Sequence, residues 1–556
     1  MSYTTIVLLI VNRSQGGRSM KIKSTGRIVA AIATFGLAVG ALVGVQSAQA
    51  ATGANCTVKS KISNAVCDVV IYGTLHKVSS LDPNKPSTGG YTDSQMAYII
   101  QGKLYRFDAS GKPQRDLVAT SEKSADGKTI THTLRDAKYS DGTAITAADA
   151  VNAYKRWVDL KISSSYIDAV QTVVAKDAKT LVWTLKRPYP DFNFALAQQF
   201  LGIHPASKTD TEAKAQEYFK NPGSGGPMMI KTFVPGTDLF VAVANPNYWA
   251  KSLVKELRVV SIPDGNTRLA AYQAGSIDYA MELPLAAKSI KWDKTKFRVT
   301  GEQDSGTFML AFNLGVNQPN KALTDPRVRQ AISMAVNRAA IMRTAFSNLG
   351  KVNCGMQFNY NNDYALCSLP KNGAPDRDGA RKLLAAAGYP NGFKVKMNVP
   401  NRIFWQDAAQ VVKDSLKLVG IDVTIDMVTP DSAITPVINK RDWEMMWFGN
   451  NAATPVLQLS NWFKPGGVWA VNANIQDSLL VETNKLLNEA SASESPAVIK
   501  EKLAAVEKIA FDLSAFIPIG NRFYLSGSRI GDNIAEALLP GQLQFVIATN
   551  PALPND

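Results

Sequence analysis

Apolar and polar positions along this chain alternate in short segments, and the period switches repeatedly between 2 and about 3.6 residues, the signature of strands and helices in succession. Val69-Val70-Ile71-Tyr72 is a short apolar run that enters a polar loop from Gly73 to Pro86. Thr129 to Leu134 alternates as a half-buried strand does. Thr146 and Asp149 have the spacing of a helix N-cap and its capping-box acid, and Ala150, Tyr154, Trp157 and Val158 follow as the inward face. Val170–Val174 and Thr180–Leu185 form a second strand pair. Asp325-Pro326 opens a helix with Val328, Ile332 and Val336 inward. Asp378 to Gly388 is a helix closed by glycine. Lys394–Val399 and Val423–Val428 are strands flanking a helix from Asp407 to Leu418, which Gly420 ends. Ser491 to Lys508 is a late amphipathic helix, followed by the buried run Ala515 to Ile519. Strands alternating with helices from end to end predict an α/β fold.

With 556 residues there is length for three or four domains. The 61 Lys+Arg against 46 Asp+Glu give +15, but the cations are scattered among acids. That pattern is a basic solvated surface and not a nucleic-acid footprint. Arg13, Arg18, Lys21, Lys23 and Arg27 precede residue 51 and no acid does. Lys21 to Arg27 lead into an apolar run, Ile28 to Val45, and then Ala48-Gln49-Ala50. This is the layout of a secretory signal peptide over residues 1–50, cleaved after Ala50, with Met20 as an alternative start. Glycines at 36, 40 and 44 shorten the run below a membrane span. Cys56 lacks a lipoprotein signal before it, so a freely soluble periplasmic protein without a lipid anchor is expected.

Export permits disulfides. The four cysteines form two sequence-local pairs, Cys56/Cys67 and Cys354/Cys367. Local pairing is one of three connectivities; each loop would contribute roughly 3 kcal/mol in the chain-entropy model. Catalytic signatures are missing from the sequence: no G-x-S-x-G, H-E-x-x-H, P-loop or C-x-x-C occurs. Ser224-Gly225-Gly226-Pro227 is a turn, because proline follows where a phosphate cradle needs amides. Three histidines, His76, His132 and His204, leave little for a metal centre. His132 lies in an alternating strand as a structural residue, whereas His76 sits in the loop after the first strand, within reach of a ligand. No cofactor, no metal and no enzymatic reaction are expected.

A series of blocks then carries a family resemblance. They include Ser80-Leu81-Asp82-Pro83, Asp126-Gly127-Lys128-Thr129, Tyr139-Ser140-Asp141-Gly142-Thr143, Asn245-Pro246-Asn247-Tyr248-Trp249, Asp325-Pro326-Arg327-Val328-Arg329-Gln330 and Leu383 to Pro390. In this order, over nearly all of residues 69–530, the chain resembles the extracytoplasmic solute-binding proteins of family 5, the dipeptide- and oligopeptide-binding components of ABC importers. The resemblance implies the large, family-5 form of the bilobed, type II periplasmic-binding-protein fold, with an extra domain inserted in the first lobe. On that pattern, residues 51–85, 235–308 and 517–556 build lobe I, 86–234 the inserted subdomain and 309–516 lobe II. It implies a monomer that captures a peptide or peptide-sized solute by hinge closure and delivers it to an inner-membrane ABC permease.

The resemblance also points to site residues. Peptide binders of the family use an Asp for the ligand ammonium after a Trp-aromatic-Gly motif; here Trp447-Phe448-Gly449 is followed by Asn450, which supplies no charge. Arg402, in Pro400-Asn401-Arg402, matches the anion-binding Arg at a strand end. The family's Gly-Thr-Gly-Pro-Tyr is represented by Ser224 to Met228. His76, Lys77 and Ser79 in the first loop, and the aromatics Tyr360, Trp405, Trp447 and Trp462, complete the candidates; aromatics would stack on apolar groups or sugar faces. Asp141 and Asp149 are a turn and a cap, and Arg327 and Arg329 stabilise the lobe. Because of Asn450, non-peptide solutes (an opine, an oligosaccharide, a metal chelate) are the alternatives. A secreted hydrolase would need a triad or paired acids in the cleft, and a periplasmic chaperone or sensor partner would use the same scaffold.

Overall fold

The computed structural model describes residues 56–57, 66–85, 90–108, 112–161, 164–294, 296–316, 318–352, 373–401, 404–428, 443–450, 454–467, 469–470, 473–529, 536–539, 542–545 and 549–550. The strands that matter below are, in chain order, β1 (Cys56–Thr57), β2 (Val66–Thr74), β3 (Val118–Lys123), β4 (Thr129–Leu134), β5 (Val170–Ala175), β6 (Thr180–Leu185), β7 (Met228–Phe233), β8 (Phe240–Ala244), β9 (Val254–Ser261), β10 (Tyr279–Leu283), β11 (Arg298–Phe312), β12 (Lys394–Pro400), β13 (Asp422–Val428), β14 (Met445–Asn450) and β15 (Phe516–Ser528). The helices are α1 (Gly90–Ile100), α2 (Ala147–Asp159), α3 (Pro326–Ala335), α4 (Arg338–Phe346), α5 (Arg377–Ala386), α6 (Trp405–Lys417), α7 (Pro455–Phe463), α8 (Val481–Ser491) and α9 (Pro496–Leu513).

One 11-stranded sheet runs β13-β12-β14-β11-β15-β10-β2-β9-β8-β7, with β1 paired to β2. β2 runs parallel to both β9 and β10; at the centre of the sheet all five residues of β10 are buried, whereas β9 keeps Lys255 and Arg258 exposed. β12 is parallel to both β13 and β14. Among the described residues the two parallel groups are joined in the sheet only by the long strands β11 and β15, which pair antiparallel from Arg298↔Ser528 to Ala311↔Phe516. The molecule is therefore a mixed α/β protein of two lobes strung on one sheet. Its cores are separate. One lobe packs Val70, Tyr72, Leu257 and Met281 together. The other sandwiches its strands between Phe308, Ile332 and Val412 on one face and Met309, Trp462 and Leu503 on the opposite face.

Between β2 and β7 in the chain lies a second, four-stranded sheet, β3-β4-β6-β5. Its strands β4 and β6 alternate buried and accessible residues, because one face covers a core with Trp157 of α2 and Trp183 of β6. α1, by contrast, packs Met96, Ile99 and Ile100 against the β2 core. The expected capping box closes α2: the Asp149 amide donates to Thr146 Oγ1 and Asp149 Oδ2 accepts from the Thr146 amide at 2.9 Å. Asp141 accepts from Thr143 as a turn residue. Two local expectations are corrected. Val158 is 39% exposed, since it lies a third of a turn past the buried Ala150–Trp157 stripe. The helix expected from Ser491 to Lys508 runs instead from Pro496 to Leu513, and Ser491 ends the preceding helix, because proline fits the first turn of a helix but not its interior.

Candidate functional site

β11 runs from one lobe to the other, and the directions of its neighbours follow from it. β10 and β11 both pair antiparallel with β15, so β10, β2 and β9 run the same way as β11 and end toward lobe II. β14 is antiparallel to β11, so β14, β12 and β13 end toward lobe I. The carboxyl ends of both parallel groups thus face each other across a single cleft, the place where open α/β sheets put ligands. At this level the ladder between the crossing strands breaks. Gln303 pairs with Phe523 and Thr307 with Asn521, so 304–306 face the single residue 522. A bulge of this size removes ladder bonds and lets strands bend, which suits a hinge.

On lobe I, the cleft rim is the loop after β2. It carries His76 and Ser79 and is pinned from three sides. Ser79 donates its amide and hydroxyl to Asp93 of α1, at 2.6 and 2.9 Å. Val78 bridges Thr237. Asp82 accepts both terminal nitrogens of Arg156 at 2.7 Å, and Asn84 accepts a further bond at 3.0 Å. This buried bidentate pair fixes the loop to α2 with geometry that a lysine would not reproduce. The His76 carbonyl accepts from Thr74 Oγ1 at 2.7 Å. Lys77 and Asp238 pair at 3.3 Å but are half exposed, so that contact contributes little.

On lobe II, Trp447 is fully buried and stacks at 6.0 Å on Phe308, which Trp405 meets edge-on at 6.0 Å. Trp462 sits 3.8 Å from Phe516 and stacks on Trp469. All three tryptophans lie within the hydrophobic clusters of the lobe. Asn450 is the last residue of β14, at the cleft end. Trp405 opens α6 directly after Phe404, whose φ of 71° is left-handed, a strained conformation for an aromatic residue. Arg402 and Tyr360 lie outside the described residues, as do Cys354 and Cys367. Cys56 of β1 stands opposite Cys67 of β2.

The remaining chemistry lies away from the cleft. His132 is buried and accepts from Trp183 Nε1 at 3.2 Å; burial pushes its pKa down to about 4. His204 lies 3.3 Å from the Tyr218 hydroxyl, and burial, with help from Arg156 and Lys103, takes it to about 3. Both are neutral structural residues at pH 7. Gly225 and Gly226 both donate their amides to the Ile100 carbonyl at 3.0 Å, so this turn has none to offer a phosphate. A Cβ at 226 would stand 2.5 Å from the Ile99 carbonyl oxygen, which is why glycine is required there. Among the described residues no group of three or more His, Cys, Asp or Glu could hold a metal ion. Among the same residues no helix is long and apolar enough to cross a membrane.

Two features carried no sequence signal, because each joins residues far apart in the chain. One is the row Asn450–Thr307–Asn521 across β14, β11 and β15, beside the break in the crossing ladder. The other is a seam between α7 and α8 of lobe II and the four-stranded sheet's module. There the buried ammonium of Lys464 pairs with Asp168 and donates to Asn488 at 2.7 Å. Arg187 also holds Asp168, at 2.7 Å, and donates to Ser491 at 3.2 Å. Thr454 donates to Asp191 at 3.0 Å, Asn461 meets the Tyr166 hydroxyl, and Leu457 joins the Trp157 core.

Comparison with known proteins agrees with this architecture. The family model described as bacterial extracellular solute-binding proteins, family 5 Middle, matches residues 112–468. The glutathione-binding protein GsiB of Escherichia coli (strain K12) is 27% identical over 440 residues, covering 75% of this chain and 82% of that protein. Among solved structures, the periplasmic binding protein AgaA of A. tumefaciens R10 in complex with agropinic acid is 25% identical with a TM-score of 0.75, over 86% of this chain and 99% of that one. DppA of Helicobacter pylori in complex with the peptide STSA is 19% identical with a TM-score of 0.73, over 86% and 98% of the two chains, a likeness of fold.

Proposed function

This chain belongs to the bacterial extracellular solute-binding proteins of family 5, and from that premise we propose that it captures a peptide or peptide-sized solute between its lobes and presents it to an ABC permease. The observation that carries the reading is the pair of opposed carboxyl strand ends joined, among the described residues, by two irregular strands. Ligand contacts from both sides stabilise a closed form, and affinity falls by whatever fraction of molecules rests open. The glutathione named for one relative is itself a small, anionic peptide, which supports a ligand of that size. The agropinic acid held by AgaA, together with the uncharged Asn450, favours a second reading, a non-peptide solute such as an opine.

We read Arg402, two residues past β12, as the anion anchor; the left-handed Phe404 beside it is the kind of strain that tends to collect at ligand sites. His76 and Ser79 form the opposing rim, with Asn450, Tyr360, Trp405, Trp447 and Trp462 on the lobe II side, the buried tryptophans acting as backing. The solute leaves unaltered, without enzymatic turnover. The apolar leader at 28–45 supports export with cleavage after Ala50, and the family supports a periplasmic location, where we take the protein to act as a monomer. The register of Cys56 opposite Cys67 supports a local disulfide there, with Cys354–Cys367 as the other. The inserted module is placed within residues 86–234, with α1 packed on the β2 core and β7 added to the edge of the main sheet as its joins to lobe I.

Mass spectrometry of the solute that co-purifies with native protein tests the reading, and a sample that carries none and is stabilised by no peptide or opine defeats it. Arg402→Ala is expected to weaken an anionic solute by about 1.5–3 kcal/mol, the range for hydrogen bonds to charged groups. Unchanged affinity by calorimetry removes Arg402 from the site.

A further inference from the structure

The three strands at the hinge align four successive rows of residues across β14, β11 and β15. Trp447–Leu310–Ile517 and Phe448–Met309–Pro518 are apolar, and Gly449–Phe308–Gly520 is glycine on both sides of a buried ring. The next row, Asn450–Thr307–Asn521, is polar throughout and lies where both lobes' parallel strands stop. Directly opposed residues of antiparallel strands share a face. This row therefore continues the face of Met309 and Phe448 past the point where apolar side chains cover it.

Thr307 and Asn521 are nonetheless buried, at 0% and 2% exposure. The Asn521 side-chain nitrogen Nδ2 has no hydrogen-bond partner. A buried unpaired amide is rare in a native protein and calls for a partner that completes it. Its position is tightly fixed. The Asn521 amide donates to the Lys351 carbonyl at 3.0 Å, and Val352 bridges Gly520. A Cβ at 520 would stand 2.7 Å from that same carbonyl oxygen, so only glycine admits the strap. A donor held this firmly at a cleft is preorganised for a ligand.

Resting on the reading of the cleft as the solute site, we infer that Asn521 is a specificity-determining residue, donating its side-chain amide to a neutral oxygen of the solute, an amide carbonyl or a hydroxyl. The row contains no carboxylate, so a primary ammonium placed there gains no charged partner, and a neutral, acylated end is preferred.

Calorimetry with a set of tripeptides, each in N-acetylated and free-amine form, tests this on the full mature chain. Wild-type protein is expected to bind the acetylated forms about tenfold more tightly. Asn521→Leu, which removes the unpaired donor, is expected to melt at or above the wild-type temperature and to bind the acetylated forms about tenfold more weakly, the worth of one neutral hydrogen bond. Asn521→Asp is expected to reverse the order toward free amines. Tighter wild-type binding of free amines, or an Asn521→Leu affinity within twofold of wild type, overturns the inference and leaves the solute-binding reading standing. If neither form of any tripeptide binds the wild type, the peptide reading fails and the inference falls with it.

Discussion

His132 shows how a single residue's role is set by what surrounds it. It lies in an alternating strand, and the structure encloses it among Tyr105 and Trp183. Its pKa is about 4 in the fold against about 6.5 in the unfolded chain. Between those values the unfolded chain takes up a proton that the folded protein refuses. The stability is therefore complete above pH 6.5 and is lost as pH falls toward 4, by up to about 3 kcal/mol. His204, also depressed by burial, adds to the loss in the same window. Urea midpoints followed by tryptophan fluorescence at pH 7 and 4.5 are expected to show this loss, and His132→Gln to reduce it. An equal drop in both proteins would place the acid sensitivity elsewhere. Arg329 makes the same point with a charge. It is buried, donates to the carbonyls of Leu323, Thr324, Leu513 and Ser514, and so ties α3 to the end of α9 without a carboxylate.

Elements were legible wherever a local rule decides them. β4 and β6 cover the predicted residues because strand alternation is a nearest-neighbour property. α2 begins where Thr146 and Asp149 satisfy each other's backbone amides. Thr146→Ala is expected to destabilise the protein by about 1 kcal/mol, seen as a lower urea midpoint with an unchanged slope; no shift would mean that Ala147 and its neighbours hold the helix start by packing alone. The helix expected from Ser491 starts at Pro496 because Ser491 closes α8, and only the docking of α8 against α9 shows the two to be separate rods. The opening of α6 two residues earlier than expected has a similar cause: Trp405 is drawn into the Phe308 cluster, which no local signal announces.

The whole molecule depends on contacts that the two lobes make with each other and with the four-stranded module. Among the described residues only β11 and β15 link the lobes through the sheet, so the seam at α7 and α8 is a second tie. Its centre is the Lys464 ammonium, buried and lowered to about 8 by desolvation, with Asp168 opposing that shift. Asp168→Asn leaves the charge without its carboxylate and is expected to cost about 2–3 kcal/mol, below the ~3–5 of wholly buried pairs because Asp168 is partly exposed. Adding Lys464→Met, which removes the stranded charge, is expected to restore most of it. Thermal melts of the single and double variants check this, and a double variant as unstable as the single would show that the loss has another origin.

The sequence by itself determined what depends on neighbours a few residues apart: the alternation of strands and helices, the caps, the turn at Ser224 to Pro227, and the ordered blocks that mark a solute-binding family. Asn450 was readable as an uncharged residue where a charged one was expected. Only the tertiary structure decided which strands are parallel, that their carboxyl ends meet over a break in two crossing strands, and that Asn450, Thr307 and Asn521 stand in one row. Those facts are pairings between segments from 28 to 230 residues apart, such as Lys394↔Asp422 and Arg298↔Ser528. Register across such distances is fixed by packing the whole sheet at once, a constraint that no local pattern of side chains carries.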